Sequence, residues 1–144
     1  MSKKTPKISF DFDGCLGELH IQTLAKLLII AGADVWVLTS RNHDTIFDQN
    51  GAPQGNRGVN EDVRNVCKTV GIPEYKIIYT NGDFKVDEYA KGSFDMHFDD
   101  MFDEVEMITR NGGKALLVDF NVYDLKDALD SVKDVEVYFE KHWK

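Results

Sequence analysis

The chain predicts an α/β fold: a three-layer α/β/α sandwich on a mostly parallel five-stranded sheet. Three observations carry this. Short apolar runs alternate with segments of helical composition along the chain, the order that puts parallel strands between two helical layers. The run VWVLTS at 35–40 is almost continuously apolar, as a strand covered on both faces must be. Several runs also end in carboxylates or hydroxyls, and in such a sheet the ligand crevice lies beyond the carboxyl ends of the strands. The arrangement is Rossmann-like.

The elements follow in order. Residues 7–11 make the first strand. Residues 21–31 have helical composition with Leu24, Leu27 and Leu28 on one face, and Gly32 stops them. Residues 35–40 are the second strand. Residues 42–58 hold Asn, Asp, Gly, Gln and one Pro without apolar period, a loop longer than most connections and a candidate partial lid. A helix fits 60–70, with Asn60 as N-cap, Val63, Val66 and Val70 as its stripe, and Gly71 and Pro73 as its stop. KIIY at 76–79 is a third strand, and FDMHF at 94–98 a fourth that runs into Asp99 and Asp100. Residues 102–110 suit a helix closed by Asn111, Gly112 and Gly113, before a fifth strand, ALLVDF, at 115–120. A last helix is expected near 124–132. The alternating tail VEVYF suits an edge strand, core packing or a subunit contact, which makes a homo-oligomer a candidate state.

Composition narrows the function. At 144 residues and 42% hydrophobic, the expectation is one domain spanning 1–144 with a real core. A formal charge of -8 and a pI near 4.9 argue against extended nucleic-acid binding, which draws on neutralised phosphates. Cys15 and Cys67 lack metal-ligand or dithiol spacing and read as reduced thiols. No apolar stretch reaches the length of a membrane span, and MSKKTPK leads into a strand instead of a secretory core. The expectation is a cytoplasmic protein with no membrane partner.

The chemistry concentrates in DFDG. Asp11 and Asp13 stand two residues apart at a strand end and face the same side of the sheet. Such a pair binds a hard cation through oxygen, or divides nucleophilic and acid/base roles. Taken alone, D-x-D-G reads first as an ordinary turn with Asp11 as a cap. What raises it above a turn is convergence, because Asp11, Asp13, Thr39, Ser40, Asp99 and Asp100 all lie at strand ends of one sheet.

In this order DFDGCL, VLTSR, a lysine and HFDD resemble the haloacid dehalogenase superfamily of phosphohydrolases. The likeness covers residues 7 to about 100, and the four elements together are specific where each alone is weak. It implies that Asp11 is a nucleophile forming an aspartyl-phosphate, and that Asp13 protonates the leaving oxygen and then activates water. The true dehalogenases lack a carboxylate at the second position, so Asp13 favours phosphate esters. Gly14 implies the tight turn, and Cys15 stands where threonine is frequent, packing in that turn or, less simply, acting as a redox-sensitive thiol. Thr39 would donate to a phosphoryl oxygen. Gly14, Ser40 and Arg41 are the candidate substrate-binding residues, with His43 beside them, although a helix cap is the simpler role for Ser40. Lys85 is preferred over Lys91 as the active-site cation. Mg2+ is the implied cofactor, held by Asp11, the Asp13 carbonyl and the pair Asp99 and Asp100, of which Asp100 is favoured as direct ligand and Asp99 as water-mediated.

Asp103 and Glu104 are left outside the site as the acidic first turn of a helix. His97 is expected to pack, and His20 and His142 have no identifiable role. The intervals from Asp13 to Thr39 and from Tyr79 to Asp99 hold little more than one helix each, so no cap domain is expected. The expected activity is Mg2+-dependent hydrolysis of a nucleotide or other small phosphomonoester. Alternatives are a 3'-phosphatase on nucleic-acid ends, a phosphotransferase, and a non-catalytic protein binding Mg2+ or a phosphorylated ligand. A receiver domain orders its acidic residues the other way along the chain.

Overall fold

The computed structural model describes residues 5–43, 49–50, 60–118 and 133. Its strands are β1 (Lys7–Phe10), β2 (Asp34–Thr39), β3 (Ile77–Tyr79), β4 (Met96–Asp99) and β5 (Ala115–Leu117). They form one sheet in the order β3-β2-β1-β4-β5, and every neighbouring pair is parallel. The helices described beside it are α1 (Leu19–Ile30), α2 (Glu61–Val70), α3 (Val86–Lys91) and α4 (Phe102–Arg110). The fold is thus the expected α/β sandwich, and the sheet is wholly parallel.

Period-two alternation divides the core between the two faces. Ile8, Phe10, Val35 and Val37 pack with Leu24, Leu28, Val63 and Cys67 of α1 and α2. On the other face, Leu38 packs with Tyr89 of α3, Ile108 of α4 and Phe94. The chain builds outward from β1 through β2 to β3 and then returns to the opposite side of β1 as β4. The carboxyl ends of β1 and β4 therefore flank the point where strand order reverses, the place where open α/β sheets form ligand crevices.

Several boundaries differ from the sequence reading for local reasons. The fourth strand begins at Met96 instead of residue 94. Phe94 is drawn into the core between α3 and α4, and the Asp95 carboxylate accepts the Lys7 backbone N–H at 2.8 Å. Lys76 belongs to the short 3-10 turn Glu74–Lys76 ahead of β3. Helix α1 starts earlier, at Leu19, which is 78% exposed and so adds nothing to an apolar stripe. Asn60 occupies the N-cap position of α2 but makes no side-chain cap bond. Its buried amide instead donates to the Asn42 carbonyl at 2.9 Å and accepts from Arg41 Nη1 at 3.4 Å. Most of the loop at 42–58, residues 119–120, the helix near 124–132, the VEVYF tail and His142 lie outside the described residues. Among the described residues no helix is long and apolar enough to cross a membrane.

Candidate active site

β1 delivers Asp11 to the crevice. Its N–H donates to the Phe98 carbonyl at 2.9 Å, which prolongs the β1–β4 ladder by one residue. The chain then closes a tight turn at Phe12–Leu16, with the Leu16 N–H on the Asp11 carbonyl at 3.0 Å and Gly14 at a φ of 72°. A side chain at such a φ is strained, so glycine permits the reversal.

Lys85, immediately before α3, reaches the same corner. It is only 1% exposed. Its Nζ donates to Asp11 Oδ1 at 2.7 Å and to Asp99 Oδ2 at 2.6 Å, and Glu104 Oε2 lies 3.8 Å away. Glu104 Oε1 also accepts the Lys85 backbone N–H at 3.1 Å. A buried ammonium persists only when paired, and here burial, which would lower its pKa, is outweighed by Asp11 and Asp99, so the pKa is raised. Lys91 sits exposed at the end of α3.

The carboxylates outnumber that single cation. Burial pushes the Asp11 carboxyl up to about 8, with Lys85 opposing the shift and Asp99 and Asp100 adding to it. Burial also raises Glu104. Asp99 goes the other way, because hydrogen bonding from His97 and the charge of Lys85 outweigh its burial. His97, fully buried, is held neutral by burial, its pKa lowered. A neutral ring here carries its proton on Nε2, donating to Asp99 Oδ2 at 2.8 Å, while Nδ1 accepts from the Ser9 hydroxyl at 2.7 Å. Ser9 and His97 are register partners across β1 and β4. His97 thus does more than pack: it orients Asp99.

Asp99 is then fully engaged, since its Oδ1 accepts the Met101 N–H at 3.0 Å. Asp100 is not. Its Oδ1 is buried with no hydrogen-bond partner among the described residues, an arrangement that is costly unless something else binds there. A Cβ on Gly14 would stand 2.1 Å from Asp100 Oδ2, so glycine leaves the space into which this carboxylate fits. One carboxylate oxygen each from Asp11, Asp99 and Asp100 lie within 4.8 Å of one another. An all-oxygen, multiply anionic donor set with one orphaned oxygen fits a small hard divalent cation.

The side chain of Asp13 stands apart from this cluster. Arg41 grips it with two bonds, Nε to Oδ2 at 2.9 Å and Nη2 to Oδ1 at 2.7 Å. The same guanidinium donates to both oxygens of Asp62 at 2.8 and 2.9 Å and lies 4.9 Å above the Phe12 ring. Arg41, a candidate substrate contact, is therefore committed to two carboxylates. It keeps Asp62 below the usual carboxylate range.

Thr39 is buried at the tip of β2 and accepts the Arg41 N–H at 3.3 Å, which leaves its O–H to donate. It does not line the crevice, whereas Ser40 does. That crevice encloses about 510 Å3, with Asp11, Gly14, Lys85 and Asp100 toward the strand ends and Phe84 and Met101 along its margin. Cys15 is fully buried and its thiol approaches the Phe98 carbonyl at 3.7 Å. Burial, with Asp11, Asp99 and Asp100 nearby, raises its pKa well above the usual value, which speaks for packing over redox sensing.

Glu104 is the clearest omission from the sequence reading. An acidic residue in a helix's first turn explains itself through the dipole, so nothing local marked it as the partner of Lys85. His97 was hidden likewise, and the only available signal was its i, i+2 relation to Asp99, which puts both on one side of β4. In comparisons with known proteins, no family model and no curated sequence matches this chain.

Proposed function

We propose that this protein is a Mg2+-dependent phosphomonoesterase of the haloacid dehalogenase type, working through an aspartyl-phosphate on Asp11. The observation that carries the reading is the buried Lys85 ammonium bridging Asp11 and Asp99 beside the orphaned oxygen of Asp100. One fixed cation and one vacant anionic donor flank a carboxylate at a crevice floor, which suits a dianionic phosphoryl group.

Asp100 Oδ1, an Asp11 oxygen and the Asp13 carbonyl would hold Mg2+, with Asp99 acting through water. When bound, the ion neutralises the carboxylates and the phosphoryl charge. Ionised Asp11 attacks phosphorus, and the ester P–O bond breaks. Asp13, protonated from solvent once it has left Arg41, gives that proton to the departing oxygen. Asp13, now a carboxylate, accepts a proton from water as the water oxygen attacks phosphorus and the bond to Asp11 breaks, releasing inorganic phosphate. Asp13 reaches the ester by exchanging Arg41 for substrate, a movement that its 60% exposed side chain allows. Lys85 balances charge throughout, and Ser40, which lines the crevice where Thr39 does not, orients a phosphoryl oxygen.

The grip of Arg41 on Asp13 favours one second reading, a protein that binds Mg2+ and a phosphorylated ligand without turnover. Phosphate release from nucleotides, sugar phosphates and 3'-phosphorylated oligonucleotides, with Mg2+ and with chelator, separates the two. Hydrolysis is expected only with Mg2+, and Asp11→Asn is expected to lower it at least about a thousandfold, as loss of a covalent nucleophile does. Mg2+ binding without turnover on any substrate would instead establish the second reading.

A further inference from the structure

The crevice has a polar floor and an apolar margin built from immediate neighbours in sequence. Lys85 is 1% exposed, yet Phe84 beside it is 52% exposed. Asp99 is 0% exposed, yet Met101, two residues on, is 53% exposed. Both apolar side chains line the crevice that holds Asp11. Large apolar groups left at the mouth of a polar site mark a contact surface.

Neither is exposed through loose backbone. The turn Thr80–Asp83 that leads to Phe84 is tied to the end of β2 by Thr80 N–H on the Thr39 carbonyl at 2.9 Å and Gly82 N–H on the Ser40 carbonyl at 2.7 Å. Within it the Thr80 hydroxyl donates to the Asp83 carbonyl at 2.6 Å. Phe84 is thus held between a cross-linked turn and a buried lysine. Met101 is fixed by its own N–H on Asp99. Surfaces set in place before binding give affinity with little ordering cost.

Charge defines the rest. Asp83 and Asp103 also line the crevice, so among the described residues a second phosphate outside the floor would meet carboxylates and not cations. We propose that Phe84 and Met101 form a ring-binding margin, and that the substrate is a phosphomonoester whose alcohol carries one uncharged planar ring and no further phosphate. A nucleoside monophosphate and an aryl phosphate both have this chemistry. The proposal rests on the phosphoesterase reading for the placement of the phosphate.

The test compares kcat/KM of the full chain with Mg2+ on a nucleoside 5'-monophosphate, phenyl phosphate, glycerol 3-phosphate and a nucleoside 5'-triphosphate. Both ring monoesters are expected to exceed glycerol 3-phosphate by about tenfold, the scale of one aromatic contact, and the triphosphate is expected to fall below the monophosphate. Phe84→Ala should bring the ring-to-glycerol ratio close to one, and Phe84→Tyr should retain it. If only one ring ester shows the advantage, that ester names the source. Equal rates for ring and glycerol esters, a preferred triphosphate, or an unchanged ratio in Phe84→Ala would overturn the proposal. So would a dimer that Phe84→Ala dissolves in sedimentation while the ratio is absent. Calorimetric titration of Asp11→Asn with the nucleoside monophosphate and with inorganic phosphate separates this from the hydrolase reading. With no ester hydrolysed, tighter binding of the nucleotide that Phe84→Ala removes still supports the ring margin, and equal or absent binding overturns it.

Discussion

Gly14 and Asp100 meet at atomic contact, and that contact links a backbone requirement to a ligand site. The position demands glycine twice, once for its φ of 72° and once because a Cβ would overlap Asp100 Oδ2 at 2.1 Å. Gly14→Ala therefore cannot be accommodated by a small shift of a distant side chain. The strained φ alone is expected to cost about 1 kcal/mol or more. The larger consequence falls on Asp100, which must turn away and carry its unpartnered oxygen with it. Calorimetric titration of Mg2+ into Gly14→Ala should show affinity lowered by about tenfold or more, while urea unfolding shows the smaller stability loss, given that metal sites respond steeply to misplaced ligands. Unchanged Mg2+ affinity would detach Asp100 from the cation.

At the scale of elements, the strand tips were legible and their cross-connections were not. A period of two and the parallel-sheet rule placed Asp11, Thr39, Asp99 and Asp100 at one end of the sheet from sequence alone. Which neighbour each one meets depends on register and helix docking. Ser9 finds His97 only because β1 and β4 pair in that register, and Glu104 finds Lys85 only because α4 docks beside the start of α3. Arg41 is a further case, 28 residues from Asp13 and 21 from Asp62. It staples the turn after β1 to the first turn of α2, beside a loop whose composition gave no hint of either partner. These ion pairs are largely solvent-exposed, so Arg41→Ala should cost only about 0.5–1 kcal/mol in urea unfolding. On the proposed mechanism the same variant should raise kcat, by up to about fivefold, because the acid/base carboxylate no longer has to break this ion pair to reach the ester. A fall in stability with kcat unchanged would reduce Arg41 to a structural staple.

Across the whole molecule, a chain of net charge -8 folds with a knot of carboxylates at the carboxyl ends of β1 and β4, which couples stability to pH and, on the proposed function, to metal. In the metal-free fold the Asp11 carboxyl is raised from 3.8 to about 8, by burial first. Between those values the folded protein holds a proton that the unfolded chain has released. This contribution is complete below the unfolded pKa and is lost as pH rises through the folded one, with a slope of at most about 1.4 kcal/mol per pH unit. Glu104, also raised by burial, adds in the same direction. The proposed cation binding needs the ionised carboxylate, so Mg2+ is expected to stabilise most where the fold without it is weakest. Thermal unfolding in chelator should show a midpoint that falls from about pH 5 to about pH 8, a nearly flat profile with saturating Mg2+, and a shallower chelated slope for Asp11→Asn. A chelated protein that gained stability over that range would mean that Asp11 is already ionised without metal. Lys85 would then hold Asp11 ionised by itself, and Mg2+ would have no pH window in which its stabilisation grows.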